Sequence, residues 1–172
     1  MQKKLPPKGD LVFEGKYSQY FLSDLAQLPR VKVDTYLAAE KAFEKMHFTF
    51  CGDLVMSVYE VLVVRCYASE EGKAWALHCQ ATDGSAYSEY LSTLADGASL
   101  TSSTGDMGGD ELDVRIFRTI RPDLNEQSLY TAHLKRLEEL ERDRETSATI
   151  CDKSLASIAR AMESFPERRS RM

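Results

Sequence analysis

Three histidines, four cysteines and one stretch rich in glycine and acid are the parts of this sequence that could do chemistry. The stretch is LADGASLTSSTGDMGGDELD, from Leu94 to Asp113, with four Gly, five acidic residues and neither Lys nor Arg. A phosphate loop sets Gly-rich backbone N–H groups beside a Lys and a Ser or Thr. Here no Lys follows a glycine, and Asp96, Asp106, Asp110, Glu111 and Asp113 would repel phosphate. A calcium loop places oxygen ligands at alternate positions with a distal Glu. Asp106 to Glu111 has no such spacing, which leaves at most a weak, irregular calcium site. A serine nucleophile needs G-x-S-x-G on a sharp turn, and Gly97 to Thr101 lacks the last glycine. The stretch therefore reads as a hairpin turn at Asp96-Gly97, a polar-faced strand, and an exposed, mobile acidic loop at 105–111.

The histidines offer more. His133 occupies an apolar helical stripe with Leu129, Leu137 and Leu140, where another Leu is expected. Arg118 is an inward-phased charge on a strand with Val114, Ile116 and Ile120. A buried cation needs an acceptor, so the two could share an anionic or carbonyl-bearing ligand, or a carboxylate such as Glu89. The bland alternative is a hydrogen-bonded interior histidine and an arginine whose stem packs while its head reaches water. His78 lies with Arg65 and Tyr67 on the polar face of a hairpin. That face is expected to be solvated, or to become an interaction surface if something covers it. His47 suits the negative C-terminal end of a helix. No two histidines are spaced i, i+3 or i, i+4, and no cysteines form C-x-x-C, so no metal site or cofactor is expected.

The elements that must position these groups follow from periodicity. Residues 11–13 suggest a short strand and 17–28 a helix ended by Pro29. Asp34 is a good N-cap for a second helix, whose stripe is Tyr36, Ala39, Phe43 and Met46. Residues 60–68 and 74–82 form a hairpin around Glu71-Gly72. Its register sets Cys66 opposite Leu77 and Val64 opposite Cys79, with Leu62, Ala68, Trp75 and Ala81 on the same apolar face. Residues 86–95 make a strand apolar on both sides, 98–104 the next, and 113–120 closes the meander. Asn125 or Asp123 caps a long helix that reaches about Glu145. A last helix over about 148–165 carries Cys151, Leu155, Ile158, Met162 and Phe165. Its stripe packs on the domain or offers a protein partner a groove-filling helix.

Two helices, then strands, then two helices predict an α+β fold with an antiparallel meander sheet of five to six strands. A helix-grip-like order is an alternative description. The organisation expected is a disordered tail over 1–10, a single domain over 11–147, and a C-terminal amphipathic helix with a basic tail over 148–172. With 172 residues the chain can bury a core without staples. A formal charge of −5 argues against a broad nucleic-acid footprint. No apolar run is long enough to span a bilayer, and the N-terminus lacks a signal peptide. A soluble, cytoplasmic protein is the expectation. With no catalytic motif, it is a binding module for a small ligand or a protein segment. The alternatives are a hydrolase-type enzyme with a site near His133 and Arg118, and a protein-interaction or secretion-chaperone-like role.

Overall fold

Strict alternation in residues 61–80 builds the centre of the molecule. In the computed structural model, which describes residues 9–15, 18–25, 31–57, 61–80, 83–105 and 115–163, β4 (Val61–Ser69) pairs with β5 (Trp75–Gln80). The register is the expected one: Val64 faces Cys79, Cys66 faces Leu77 and Ala68 faces Trp75. All six side chains are buried in one apolar cluster. Gly72, at φ +69°, makes the turn, a backbone conformation that L side chains resist.

Eight strands of the described residues form one sheet in sequence order. The others are β1 (Leu11–Glu14), β2 (Gln19–Ser23), β3 (Phe48–Ser57), β6 (Ala86–Thr93), β7 (Ser99–Ser103) and β8 (Ile116–Ile120). Within the helix expected at 17–28, residues 19–23 are instead β2. Tyr20 and Leu22 alternate, and the strand pairs with Met56 and Leu54 of β3. Long-range pairing outweighs a short segment's helical spacing. The meander does not close as expected either: β8 runs parallel to β7, whereas every other neighbouring pair is antiparallel. The acidic loop at 105–111 lies, but for Gly105, outside the described residues.

Among the described residues three helices cover both faces of the sheet, a departure from the helix-grip-like description. On one face lie α1 (Val33–Lys45) and α2 (Glu126–Asp143). The stripe of α1 buries Tyr36, Ala39 and Phe43, as its spacing predicts. Its first residue is Val33, so Asp34 is not the N-cap but an acid in the first turn, where it still complements the dipole. Asn125 caps α2 by accepting from the Ser128 amide, and Leu129, His133, Leu137 and Leu140 are its buried residues.

On the other face lies α3 (Leu155–Met162), capped by Ser154. It is shorter than expected because residues 148–151 are extended. Ala148 bridges Leu94, the Thr149 amide donates to the Thr93 carbonyl, and the Cys151 amide donates to that of Gly72. Ile158, Ala159, Ala161 and Met162 join the Val64–Leu77 cluster, packed against by Leu155. Gly52, where β3 slips register, admits α3: a Cβ there would come within 2.8 Å of Leu155 Cδ1. Phe165 lies outside the described residues. No helix of the described residues is long and apolar enough to cross a membrane.

Candidate functional site

The sheet face under α1 and α2 carries a polar row that crosses four strands. Asp53, Arg65, His78 and Ser88 are direct cross-strand partners on β3, β4, β5 and β6. Arg65 grips Asp53 with two hydrogen bonds, Nε to Oδ1 at 2.9 Å and Nη2 to Oδ2 at 3.2 Å. Its Nη1 approaches Glu40 of α1 at 3.7 Å, and its guanidinium lies over the Phe50 ring. The Asp53 bond and charge push the Arg65 pKa further up. Tyr67, next along β4, packs its ring on Phe43 and Phe50. The face expected to be solvated is therefore covered. Tyr36, Ala39 and Phe43 of α1 lie on it, and Tyr67 and His78 are buried.

His78 is edge-on to Tyr36, with ring centroids 4.8 Å apart. The Ser88 hydroxyl donates to Glu126 Oε1 at 3.3 Å, so His78 Nδ1–H must donate to Ser88 Oγ, 3.0 Å away. Nε2 is then a bare acceptor, and it finds no hydrogen bond. Burial first, and the Arg65 charge second, lower the His78 pKa to about 4. The ring is a neutral strut at pH 7.

His133 is fully buried, and both its nitrogens are used. Nε2 is 2.8 Å from Ser92 Oγ and Nδ1 is 2.9 Å from Ser102 Oγ. The Ser92 hydroxyl donates to the Lys73 carbonyl at 2.7 Å. His133 Nε2 must therefore carry the proton given to Ser92, and Nδ1 must accept from the Ser102 hydroxyl. One directed chain runs Ser102, His133, Ser92, Lys73, and it ties α2 to β6, β7 and the β4–β5 turn. Burial lowers the His133 pKa to about 3. A ring with no free lone pair and no solvent contact is not placed to act as a general base.

Arg118 does not join it. Register places Arg118 beside Thr101 and Leu91, on the face that carries α3. Glu89 pairs with Leu77 and Ser103 and lies on that same face. His133 reaches Ser92 and Ser102 on the opposite face. The register thus sets Arg118 and His133 on opposite faces of the sheet. Strand alternation sends Arg118 one way and its neighbour Phe117, which packs against Leu100 and Leu137, the other.

Cys66, Cys79 and Cys151 are buried, Cys51 half-buried, and none is bonded to another. Burial raises Cys66 well above its usual range and Cys151 to about 12. Among the described residues no group of three or more His, Cys, Asp or Glu side chains could hold a metal ion.

Among the described residues a surface cleft of about 300 Å³ lies where the second half of α1 meets the start of α2. Ala38, Lys41, Ala42, Lys45 and Met46 line it from α1, and Asn125 and Gln127 line it from the start of α2. Met46 touches the buried core beneath, where the Tyr90 hydroxyl donates to the Glu126 carbonyl at 2.8 Å. The sequence held a signal for this cleft that the core stripe obscured: Ala38, Lys41, Ala42 and Lys45 recur at i, i+3 and i+4 on a second face of α1. The serines at 88, 92 and 102 had no comparable signal, because a hydroxyl in a strand marks a partner only once the facing helix is placed. Compared with known proteins, the chain matches no family model, no curated protein and no solved structure.

Proposed function

We propose that this chain is a non-catalytic interaction module that docks a segment of a protein partner in the cleft between α1 and α2. The observation that carries this reading is the cleft itself, with an apolar floor and polar rims contributed by exposed faces of two helices. Enclosed ligand sites run from about 300 to 1,000 Å³ and bury most of their ligand. This cleft stands at the lower bound, and Lys41, Lys45, Asn125 and Gln127 on its rims are exposed, which suits one anchoring side chain of a larger partner. The interior supports the same reading, since His133, His78 and the buried thiols are committed to packing and internal hydrogen bonds. That commitment speaks against the hydrolase alternative near His133 and Arg118. A cytoplasmic location belongs to the proposal and draws support from four cysteines that form no disulfide with one another.

The test is selection of random short peptides on the immobilised full chain, followed by amide chemical-shift mapping of the winners. Shifts concentrated on residues 38–46 and 125–127 are expected. Winners that map to another surface, or no enrichment, would sink the docking proposal.

A further inference from the structure

We infer that the segment taken by this cleft is acidic: an apolar anchor side chain flanked by carboxylates. This rests on the docking reading above and adds the partner's chemistry. The chain as a whole is acidic, with 27 Asp and Glu against 22 Lys and Arg. The cleft inverts that balance, because the charged residues lining it are Lys41 and Lys45. They stand one turn apart on α1, so their ammonium groups flank the same stretch of groove. Neither forms an ion pair with a described residue. By contrast Arg121, Arg136, Arg142 and Arg144 each hold a carboxylate, on Asp123, Glu139, Asp143 and Asp96.

The facing wall adds donors. Asn125 and Gln127 present carboxamides, and because Asn125 Oδ1 is taken up by the Ser128 amide, its NH2 is left to donate. Glu126, the acid in that turn, points inward to accept from Ser88 and does not line the cleft. Between the walls the floor is Ala38, Ala42 and Met46. Two alanines leave room for a partner side chain, and a methionine adapts its shape to it. An apolar floor between lysine and carboxamide rims complements an apolar anchor with acids on either side.

The same peptide selection decides the matter when read for charge. Enriched peptides should be net acidic with an apolar residue between the acids. The double reversal Lys41→Glu/Lys45→Glu should weaken them on the order of tenfold or more, and raised salt should weaken them too. Both lysines are exposed, so an unchanged thermal melt separates lost binding from lost fold; Lys41→Ala/Lys45→Ala gives the intermediate case. Neutral or basic peptides that map to residues 38–46 and 125–127 would overturn the acidic assignment and leave the docking reading standing. Inorganic phosphate that alone shifts Lys41, Lys45 and Gln127, with no peptide enriched, would make this a small-anion site and overturn both. Peptides enriched elsewhere overturn both as well.

Discussion

His133 of α2 and Ser92 of β6 are joined by a hydrogen bond of 2.8 Å whose direction the next bond settles. Ser92 spends its only proton on the Lys73 carbonyl, so the imidazole is the donor. Ser102 supplies the other nitrogen. The ring is held in one tautomer by three backbone and side-chain groups on different elements.

Replacing His133 with Leu should therefore destabilise the protein by about 2–4 kcal/mol, since the buried Ser102 hydroxyl loses its acceptor and Ser92 Oγ loses its donor. The double variant His133→Leu/Ser102→Ala should recover part of the loss, because it removes the stranded hydroxyl and keeps the Ser92 bond to the Lys73 carbonyl. Urea titration of the three proteins checks this. A single variant as stable as the parent would refute the relay.

Stability should fall with acid before the carboxylates protonate. Both His78 and His133 have folded-state pKa values, about 4 and about 3, below the ordinary 6.5. The folded state therefore resists protonation while the unfolded chain accepts it. The contribution is complete above about pH 6.5 and is lost as pH falls towards the folded values. Where both unfolded-state rings are charged the slope approaches about 2.8 kcal/mol per pH unit, two groups at about 1.4 each. Denaturation midpoints at pH 7, 6 and 5 measure it, and the imidazole resonances of His78 and His133 should keep their neutral positions at pH 5. Either ring charged at pH 5 in the folded protein would contradict this.

Leu77 lies opposite Cys66 with no solvent exposure, at the centre of the largest apolar cluster. Leu77→Ala should cost about 2–5 kcal/mol through lost burial and a cavity. Leu37→Ala removes the same atoms from a site 45% exposed on α1, and should stay within about 0.5 kcal/mol. Equal losses in the two variants would mean that the β4–β5 register is wrong.

The sequence by itself determined what depends on local period and short turns. The β4–β5 register followed from one turn assumption, because a one-residue slip would send Cys66 and Leu77 to the other face. The stripes of α1 and α2 followed from helical spacing, and the Asn125 cap from the side chain's ability to accept an orphan amide. Both helices are long enough for the apolar period to repeat.

Only the tertiary structure decided what depends on distant partners. Residues 19–23 are too few for period to choose helix or strand, and pairing with β3 chose strand. The direction of β8 rests on which edge it meets, so a parallel neighbour could not be read from Ile116 to Ile120. That same pairing sent Arg118 away from His133. Arg65, Tyr67 and His78 read as a wet face because their types are polar. Their burial came from α1, which brings Tyr36, Glu40 and Phe43 over them from a different part of the chain. Alternation marks which residues share a face, whereas what covers that face depends on how the helices dock.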